Sequence, residues 1–239
     1  MAKTIYDYWF VQFDFPDENG NPYKSSGGKM VWNDQLKIEI PSTWQTVPLS
    51  TYGNIVSGGT PSTEVLDYYT DNGIAWITPN DLSNNTSNMY ISHGERDISL
   101  QGLNNSSATL IPSNSVLLSS RAPIGYIAIS LNEVTTNQGF KTLVPNNKNY
   151  VYFLYYLIKR NIPFLEQMGT GTTFKEVSKD SLENLLVIFP SNDILDQFTA
   201  TIQDYAKQRK ANEISNETLI TLRDWLLPLL MNGQATIDD

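Results

Sequence analysis

The sequence predicts an α+β fold in which a globule of mixed strands and short helices is followed by one long C-terminal helix. Two observations indicate this class. Short β-rich runs, helical pieces and Gly/Pro turns follow one another irregularly up to Pro190, without the regular strand–helix alternation of a parallel α/β sheet. Residues 192–232 then contain no glycine, no proline before Pro228 and many helix-forming residues. We therefore expect the chain to change from a globule to a single helix at Pro190.

The globular part is expected to contain several short elements. Residues 5–15, IYDYWFVQFDF, look like the exit of a helix that began elsewhere, and residues 16–29 form a linker rich in Gly, Ser, Asn and Pro. Residues 30–40 are either a short polar helix or an extended piece. Strands are predicted at 44–56, 74–77, 115–120, 124–130, 135–144 and 186–189, helices at 99–108, 149–160 and 179–186, and an exposed loop at 82–88.

The long helix carries apolar residues on one side, while its middle, residues 207–213, is polar. At ~1.5 Å per residue, residues 193–225 would form a rod of roughly 50 Å. A helix of this length needs a partner along it, either its own domain or, as we expect, a second helix. The residues that we expect at the interface with a partner helix are Phe198, Ile202, Tyr205, Leu219, Leu222 and Leu226.

The charge distribution permits a DNA-binding face in the middle of the chain but does not require one. The net charge of −9 argues against nucleic acid at face value. Residues 1–79 and 181–239 each contain nine acids and four bases, whereas residues 80–180 contain seven acids and eight bases. The acidic excess therefore lies in the flanks.

Composition excludes several classes of protein and site. There is no cysteine, so disulfides and thiolate metal sites are excluded. The one histidine, His93, lies among polar residues and is interpreted as a loop residue, so we expect no metal and no cofactor. No apolar run reaches the ~18 residues of a membrane span. Polar residues also interrupt the aromatic segment 5–15, which argues against a signal peptide, and a cytoplasmic location is expected.

Catalytic motifs are absent or incomplete. Asn21-Pro22-Tyr23 is similar to an amino-methyltransferase signature but lacks its second proline and lies in a linker. Gly169-Thr170-Gly171 does not follow the strand–turn–helix pattern of a cofactor loop, and it lacks the spacing of a phosphate loop. We therefore expect a protein that is not an enzyme.

Several segments in a fixed order resemble the DNA-specificity subunit of type I restriction–modification systems. They are SGGTPST (57–63), GIAWITPNDL (73–82), ISLQGLNNSSATLIPSNSVLLSSRAPIGYIAI (98–129), TTNQGFKTLVP (135–145), GTGTTFKEVSKDSLENLLVIFP (169–190) and LRDWLLPLLMNGQ (222–234). The resemblance covers residues 44–234 and is specific as a combination, whereas single pieces such as the Gly-Thr turn are weak signals.

The resemblance implies a target-recognition domain, residues 44–190, followed by a conserved spacer helix, residues 191–234, that pairs in an antiparallel coiled coil. Residues 1–43 would be an N-terminal aromatic segment and linker, and 235–239 a tail. Full subunits of this family have two such domains and two helices, and separate subunits provide the methyltransferase and nuclease activities. With one domain and one helix, this chain is either a half-length subunit or the second half of a full one.

The resemblance also separates residues that shape the fold from residues that contact DNA. Segments shared by members with different targets are expected to shape the fold or hold the DNA backbone; they include Trp76, Pro79, Arg121, Pro123, Gly125 and Gly139. Base readout is expected in the less typical stretches 84–96 and 146–167, and phosphate contacts at 170–175. The DNA-binding candidates are Asn84, Asn85, Thr86, Ser87, Asn88, Tyr90, Arg96, Lys148, Thr170, Thr172, Thr173 and Lys175.

The expected function is recognition of one half of a split target in double-stranded DNA. The expected partners are the methyltransferase subunit, the nuclease/translocase subunit, and a second copy of the chain or another half subunit. N-terminal aromatic residues would cover the end of the partner's helix: Tyr6, Tyr8, Trp9, Phe10 and Phe13. The alternative is an adaptor or inhibitor that docks on the methyltransferase through the long helix without reading DNA.

Overall fold

The computed structural model describes residues 1–170 and 175–234. It divides into a compact unit, Met1–Ile202, and a second unit that begins at Gln203. The helices are α1 (Ala2–Phe10), α2 (Pro79–Asn84), α3 (Leu100–Asn104), α4 (Val151–Met168), α5 (Lys179–Glu183) and α6 (Asn192–Met231). The strands are β1 (Met30–Asn33), β2 (Ile38–Pro41), β3 (Gln45–Pro48), β4 (Gly53–Ser57), β5 (Tyr69–Thr70), β6 (Ile74–Ile77), β7 (Tyr90–Ile91), β8 (Arg96–Ile98), β9 (Val116–Ser119), β10 (Ile127–Ser130), β11 (Thr135–Thr136), β12 (Phe140–Pro145) and β13 (Leu186–Phe189).

The mixed strands and short helices confirm the α+β class predicted from the sequence. The largest sheet has the order β4-β12-β9-β10-β7, in which only the β10–β7 pair is parallel. The interior strand β12 lies between β4 and β9, and its two ends name the two ends of the sheet. At the Phe140 end, Phe140 pairs with Ser119 and Lys141 pairs with Ser57. At the Pro145 end, Pro145 pairs with Gly53.

A second sheet, in the order β11-β6-β8-β5, joins the first one through a short connection. Thr136 pairs with Ile77 in this sheet, and only residues 137–139 separate it from the start of β12. The last residues of β6 and β11 therefore lie beside the Phe140 end. This arrangement directs several loops to one side of the first unit.

The core of the first unit contains α4 and a group of aromatic rings. Residues 153–158 of α4 are all buried, as expected for a helix that is apolar around most of its circumference. The Phe10 ring of α1 lies 4.8 Å from Phe153 and 4.9 Å from Phe198 of α6, both in edge-on contact. Such aromatic pairs stabilise a fold by about 0.5–1.5 kcal/mol beyond the area that they bury.

These contacts correct two expectations about the N-terminal segment and the long helix. Four of the N-terminal aromatic residues are buried inside their own unit rather than left to cover a partner's helix, and only Tyr8 is exposed. Phe198 and Ile202 are likewise fully buried, in the same core cluster as α1 and α4. They are therefore wrong as residues of an interface with a second helix, because α1 already occupies that side of α6.

Two local predictions are changed by hydrogen bonding. Residues 30–40, which allowed a helix or an extended piece, form the hairpin of β1 and β2. The loop expected at 82–88 is shorter than predicted, because α2 continues to Asn84. Thr78 and Asp81 form a capping box at the start of α2, and Pro79 occupies its first turn.

The long helix α6, Asn192–Met231, is 40 residues, which is longer than the 193–225 rod and lies within the 191–234 expected for the spacer helix. Within the described residues, no helix combines the length and the apolar character needed to cross a membrane. The same residues bring together no group of three or more His, Asp or Glu side chains placed to hold a metal ion.

Candidate nucleic-acid interface

Most of the candidate DNA-binding residues gather at the Phe140 end of the large sheet. The first residue of α2, Pro79, is beside Gly139, and Ser120 donates its backbone N–H to the Gly139 carbonyl at 2.7 Å. Strand β7 runs parallel to β10, away from the Phe140 end, and its first residue Tyr90 pairs with Ile129, level with Leu143. The 84–88 loop that precedes β7 therefore approaches it from the Phe140 side. Arg96 pairs with Trp76, one residue before the end of β6. Loops that are distant in the sequence therefore lie together at the Phe140 end of the large sheet.

The 84–88 loop is held by its own amides and presents short polar side chains. Asn85 donates its side-chain amide to the Tyr90 carbonyl at 2.8 Å, and Asn88 donates to the Asn85 side-chain oxygen at 2.7 Å. Asn84, Thr86 and Ser87 are exposed. Asn85 and Asn88 therefore shape the loop, while the exposed side chains have the donors and acceptors needed to contact base edges or phosphates.

The prediction that Tyr90 contacts DNA is wrong. Its side chain is buried, and its hydroxyl lies 3.3 Å from the Tyr152 hydroxyl. Pairing of the two-residue strand β7 with β10 turns Tyr90 into the core. A buried ring at this position supports the loop before it and does not reach a base.

The Asp81 carboxylate joins the start of α2 to the segment that carries Arg96. One oxygen accepts the Thr78 backbone N–H at 2.7 Å, and the other accepts the Glu95 backbone N–H at 2.9 Å. Glu95 and Arg96 are exposed beside this connection. The Asp81 charge is thus used inside the fold, and the Arg96 cation faces solvent.

Thr170 and Lys175 lie on paired segments next to the end of β9. Thr170 and Glu176 exchange two backbone hydrogen bonds of 3.1 and 2.9 Å, and the Lys175 carbonyl accepts from Ala122 N at 3.1 Å. Both Thr170 and Lys175 are exposed. The other two candidates in this segment, Thr172 and Thr173, lie outside the described residues.

A charged cluster fixes these segments to the sheet. Glu176 accepts from Arg121 Nε at 2.8 Å and from Lys141 Nζ at 3.1 Å. Burial by itself would raise the pKa of the Glu176 carboxyl, but the hydrogen bonds and charges of Arg121 and Lys141 outweigh it and lower that pKa. Glu176 is therefore ionised at neutral pH.

Lys148 is the one described candidate that the structure places away from the others. It follows β12 at the Pro145 end, and the side chain of its neighbour Asn149 donates to Asp196 at 2.8 Å. A contact surface centred on the Phe140 end does not include Lys148. The sequence grouped it with the other candidates because strand register is invisible in a single sequence.

Residues expected to shape the fold have matching surroundings. The Trp76 indole donates to the Gly59 carbonyl at 3.1 Å. Gly125 adopts a φ of 104°, and a Cβ there would meet the Ile162 side chain at 2.5 Å. A Cβ at Gly58 would lie 2.1 Å from the Asn137 carbonyl oxygen, so the glycine turn is required for close backbone approach.

Sequence reasoning missed two polar side chains at this end. The Thr60 hydroxyl donates to the Gln138 side-chain oxygen, which joins the 58–60 turn to the 137–139 turn. Gln138 is exposed and lies between β11 and β12, both of which end or begin at the Phe140 end. The available signal was a glycine in each turn: one turn follows the predicted strand 44–56, and the other lies inside the predicted strand 135–144.

The resemblance implied a globular domain followed by a long helix, and the structure has a mixed α+β unit continued by α6. Residues 41–219 match the family model of the type I restriction modification DNA specificity domain. The chain therefore belongs to this family, and the identification made from its sequence motifs is confirmed.

Individual relatives agree with the family model. The type I restriction enzyme MjaIX specificity subunit of Methanocaldococcus jannaschii is 34% identical over 211 residues, which are 83% of this chain and 48% of that protein. The HindI specificity subunit of Haemophilus influenzae is 28% identical over 198 residues, which are 82% of this chain and 42% of that protein. The chain thus spans about half the length of the curated relatives that it matches.

The fold has solved counterparts. The crystal structure of an HsdS subunit from Thermoanaerobacter tengcongensis matches 98% of this chain and 50% of its own, with a TM-score of 0.53 and 18% identity. At this level of identity, the likeness concerns the fold.

Proposed function

We propose that the chain is a non-catalytic DNA-recognition subunit that reads one half of a split target for a type I restriction–modification complex. The observation that carries the proposal is the gathering of exposed polar loops at the Phe140 end, in a chain that belongs to the specificity-domain family. Short amide and hydroxyl side chains on these loops are suited to base edges and phosphates. In this proposal, residues 44–190 are the recognition domain and residues 191–234 the spacer helix.

The charge balance indicates how DNA would be held. With a net charge of −9, the chain neutralises few phosphates, although Arg96, Arg121 and Lys175 are exposed at the Phe140 end. Partner subunits would then provide most of the phosphate contacts, so binding should weaken steeply with salt. The relatives are named specificity subunits of type I restriction enzymes, which supports a methyltransferase subunit and a nuclease subunit as the partners.

The second unit supports pairing with another helix. Leu219, Leu222, Leu226 and Leu229 follow the three–four–three spacing of a coiled-coil seam. The side chains of Leu219 and Leu222 are 57% and 46% exposed. Tyr205, from the predicted interface, is also exposed, so three of its members remain on the surface with Leu226 half-buried beside them.

The partner that we propose for this seam is a second copy in antiparallel orientation, or a different half subunit. Antiparallel pairing by two-fold symmetry presents the same residues from both chains, reversed in order. Phe198 and Ile202 take no part, because they are buried in the first unit. The pairing is therefore restricted to the part of α6 beyond residue 203.

The experiment that tests the function compares DNA binding by the assembled methyltransferase complex with and without this chain. The proposal expects sequence-specific binding only when the chain is present. If the complex binds and methylates the same sites without it, the recognition role is wrong. If the chain associates with the methyltransferase but adds no sequence preference, the adaptor or inhibitor alternative is correct.

A further inference from the structure

The charged cluster at the Phe140 end contains more positive than negative charge. Lys141 on the interior strand β12 has a side chain only 7% exposed, and its ammonium is paired with Glu176. The other oxygen of the same carboxylate is paired with Arg121. Two cations share one anion, so the cluster retains one positive charge.

That surplus charge belongs to Arg121. A buried ammonium requires a counter-ion, because an unpaired charge in the interior is strongly destabilising. Glu176 supplies it to Lys141, whereas the Arg121 side chain is 46% exposed and reaches solvent. In a chain with nine more acids than bases, an exposed arginine whose charge is not fully balanced is a specific feature.

The geometry leaves the outer edge of the Arg121 guanidinium for another acceptor. Among the residues that the structure describes, Arg121 donates through Nε, to Glu176 at 2.8 Å. This bond uses the Nε side of the guanidinium, and the end formed by its two terminal amino groups has no further hydrogen-bond acceptor among the described residues. Paired N–H groups of this kind bind a phosphate in a bidentate manner.

The backbone around Arg121 is held in place on both sides. Val177 N donates to the Ser120 carbonyl at 2.8 Å, and Ala122 N donates to the Lys175 carbonyl at 3.1 Å. Lys175 is exposed on the segment paired with Arg121, so a second cation is nearby. A rigid, pre-oriented arginine loses little conformational freedom on binding a ligand.

We propose that Arg121 binds a phosphate of the DNA backbone, and that Glu176 is the positioning residue that orients its guanidinium. The proposal rests on the proposed function, because it names one contact within the same DNA interface. A phosphate contact fixes the register of the protein on the duplex without selecting bases. It would therefore serve any target sequence equally.

The test measures binding of labelled duplex DNA by the full chain, alone and with its methyltransferase subunit, over a range of salt concentrations. Arg121→Gln should weaken binding about tenfold at low salt, for target and unrelated duplexes alike. It should also reduce the slope of log K against log salt by about 0.9, the value for one phosphate. Lys37→Gln is the matched control: it removes one charge from the exposed β1–β2 turn and should leave the slope unchanged.

Glu176→Gln separates positioning from simple charge. This variant makes the chain more positive, so charge alone predicts tighter DNA binding. Loss of the Arg121 orientation predicts weaker binding instead, measured under conditions where circular dichroism shows that the variant is folded. Arg121→Lys should restore the salt slope but not the full affinity, because an ammonium lacks the planar fork.

Two results overturn the inference: wild-type affinity and slope for Arg121→Gln, or tighter binding by Glu176→Gln. Either one leaves the recognition role intact if the wild-type complex binds DNA. If neither the wild-type chain nor its complex binds any duplex, the proposed function itself fails, and the phosphate contact fails with it.

Discussion

Two stretches of α6 carry apolar residues at similar spacing but have different surroundings. In the first, Phe198 and Ile202 are fully buried against the chain's own aromatic residues. In the second, Leu219, Leu222 and Trp225 are exposed. Periodicity identifies which side of a helix is apolar, but only the surrounding fold determines whether that side is already covered.

The two ends of the large sheet differ in a comparable way. Exposed polar loops and the Arg121 cluster lie at the Phe140 end, whereas the Pro145 end is joined to the start of α6 through Asn149 and Asp196. One end is available for a ligand and the other is used to attach the helix.

The largest effect on stability is expected at Phe198. Phe198→Ala should lower the free energy of unfolding by about 3–5 kcal/mol, because it removes a buried ring and leaves a cavity. Urea unfolding at low protein concentration measures this. Tyr205→Ala, two helical turns further on and exposed, is the control and should change stability by less than about 0.5 kcal/mol. Equal losses in both variants would show that the two stretches of α6 are equivalent.

The second prediction concerns association rather than folding. Leu219→Glu combined with Leu222→Glu should yield monomers in sedimentation and abolish methylation of a split site, since four charges would face one another across the paired helices. Circular dichroism should show that the first unit remains folded. If the double variant remains dimeric, the exposed stretch of α6 is not the interface.

A pH dependence is expected from Glu176. Its pKa is lowered in the folded state, so its ionisation stabilises the fold above the unfolded pKa of about 4.3 and ceases to do so as the pH falls through the folded pKa. Glu176→Gln should therefore reduce the unfolding free energy by about 2 kcal/mol at pH 7, and this difference should shrink below about pH 4.5. Urea titrations at several pH values measure it, and a difference that stays constant down to pH 3 would contradict the ion-pair account.

The smallest effect is expected at Lys148. Because it lies at the Pro145 end, Lys148→Gln should leave DNA affinity within about twofold of wild type in the assembled complex. Arg96→Gln is the matched variant at the Phe140 end, and it should weaken binding about tenfold if it loses one charged contact. A larger loss for Lys148→Gln than for Arg96→Gln would move the interface to the other end of the sheet.

Local patterns predicted much of the fold. The buried helix at 149–160, the strand at 186–189 and the long helix all follow from apolar spacing and from Pro190, and the structure places α4, β13 and α6 there. The order of the shared motifs was sufficient to identify the family. These features depend on neighbouring residues, which a single sequence displays.

The predictions that were wrong depend on contacts between residues that are distant in the sequence. Tyr90 is buried because β7 pairs with β10, nearly forty residues later in the chain. Lys148 is separated from the other candidates by the length of β12, and Phe198 is covered by α1 from the opposite end of the chain. The Arg121–Glu176–Lys141 cluster joins three segments that no local pattern connects.

The central claim is that loops at the Phe140 end read half of a split DNA target. Its most direct test is methylome sequencing of a host that expresses the chain with its methyltransferase subunit, for wild type and for Asn84→Ala combined with Thr86→Ala. Wild type should methylate a two-part site separated by unread bases, and the variant should lose or relax bases within the parts that this chain reads. Methylation that does not depend on the chain, or a variant with an unchanged site and rate, would contradict the account.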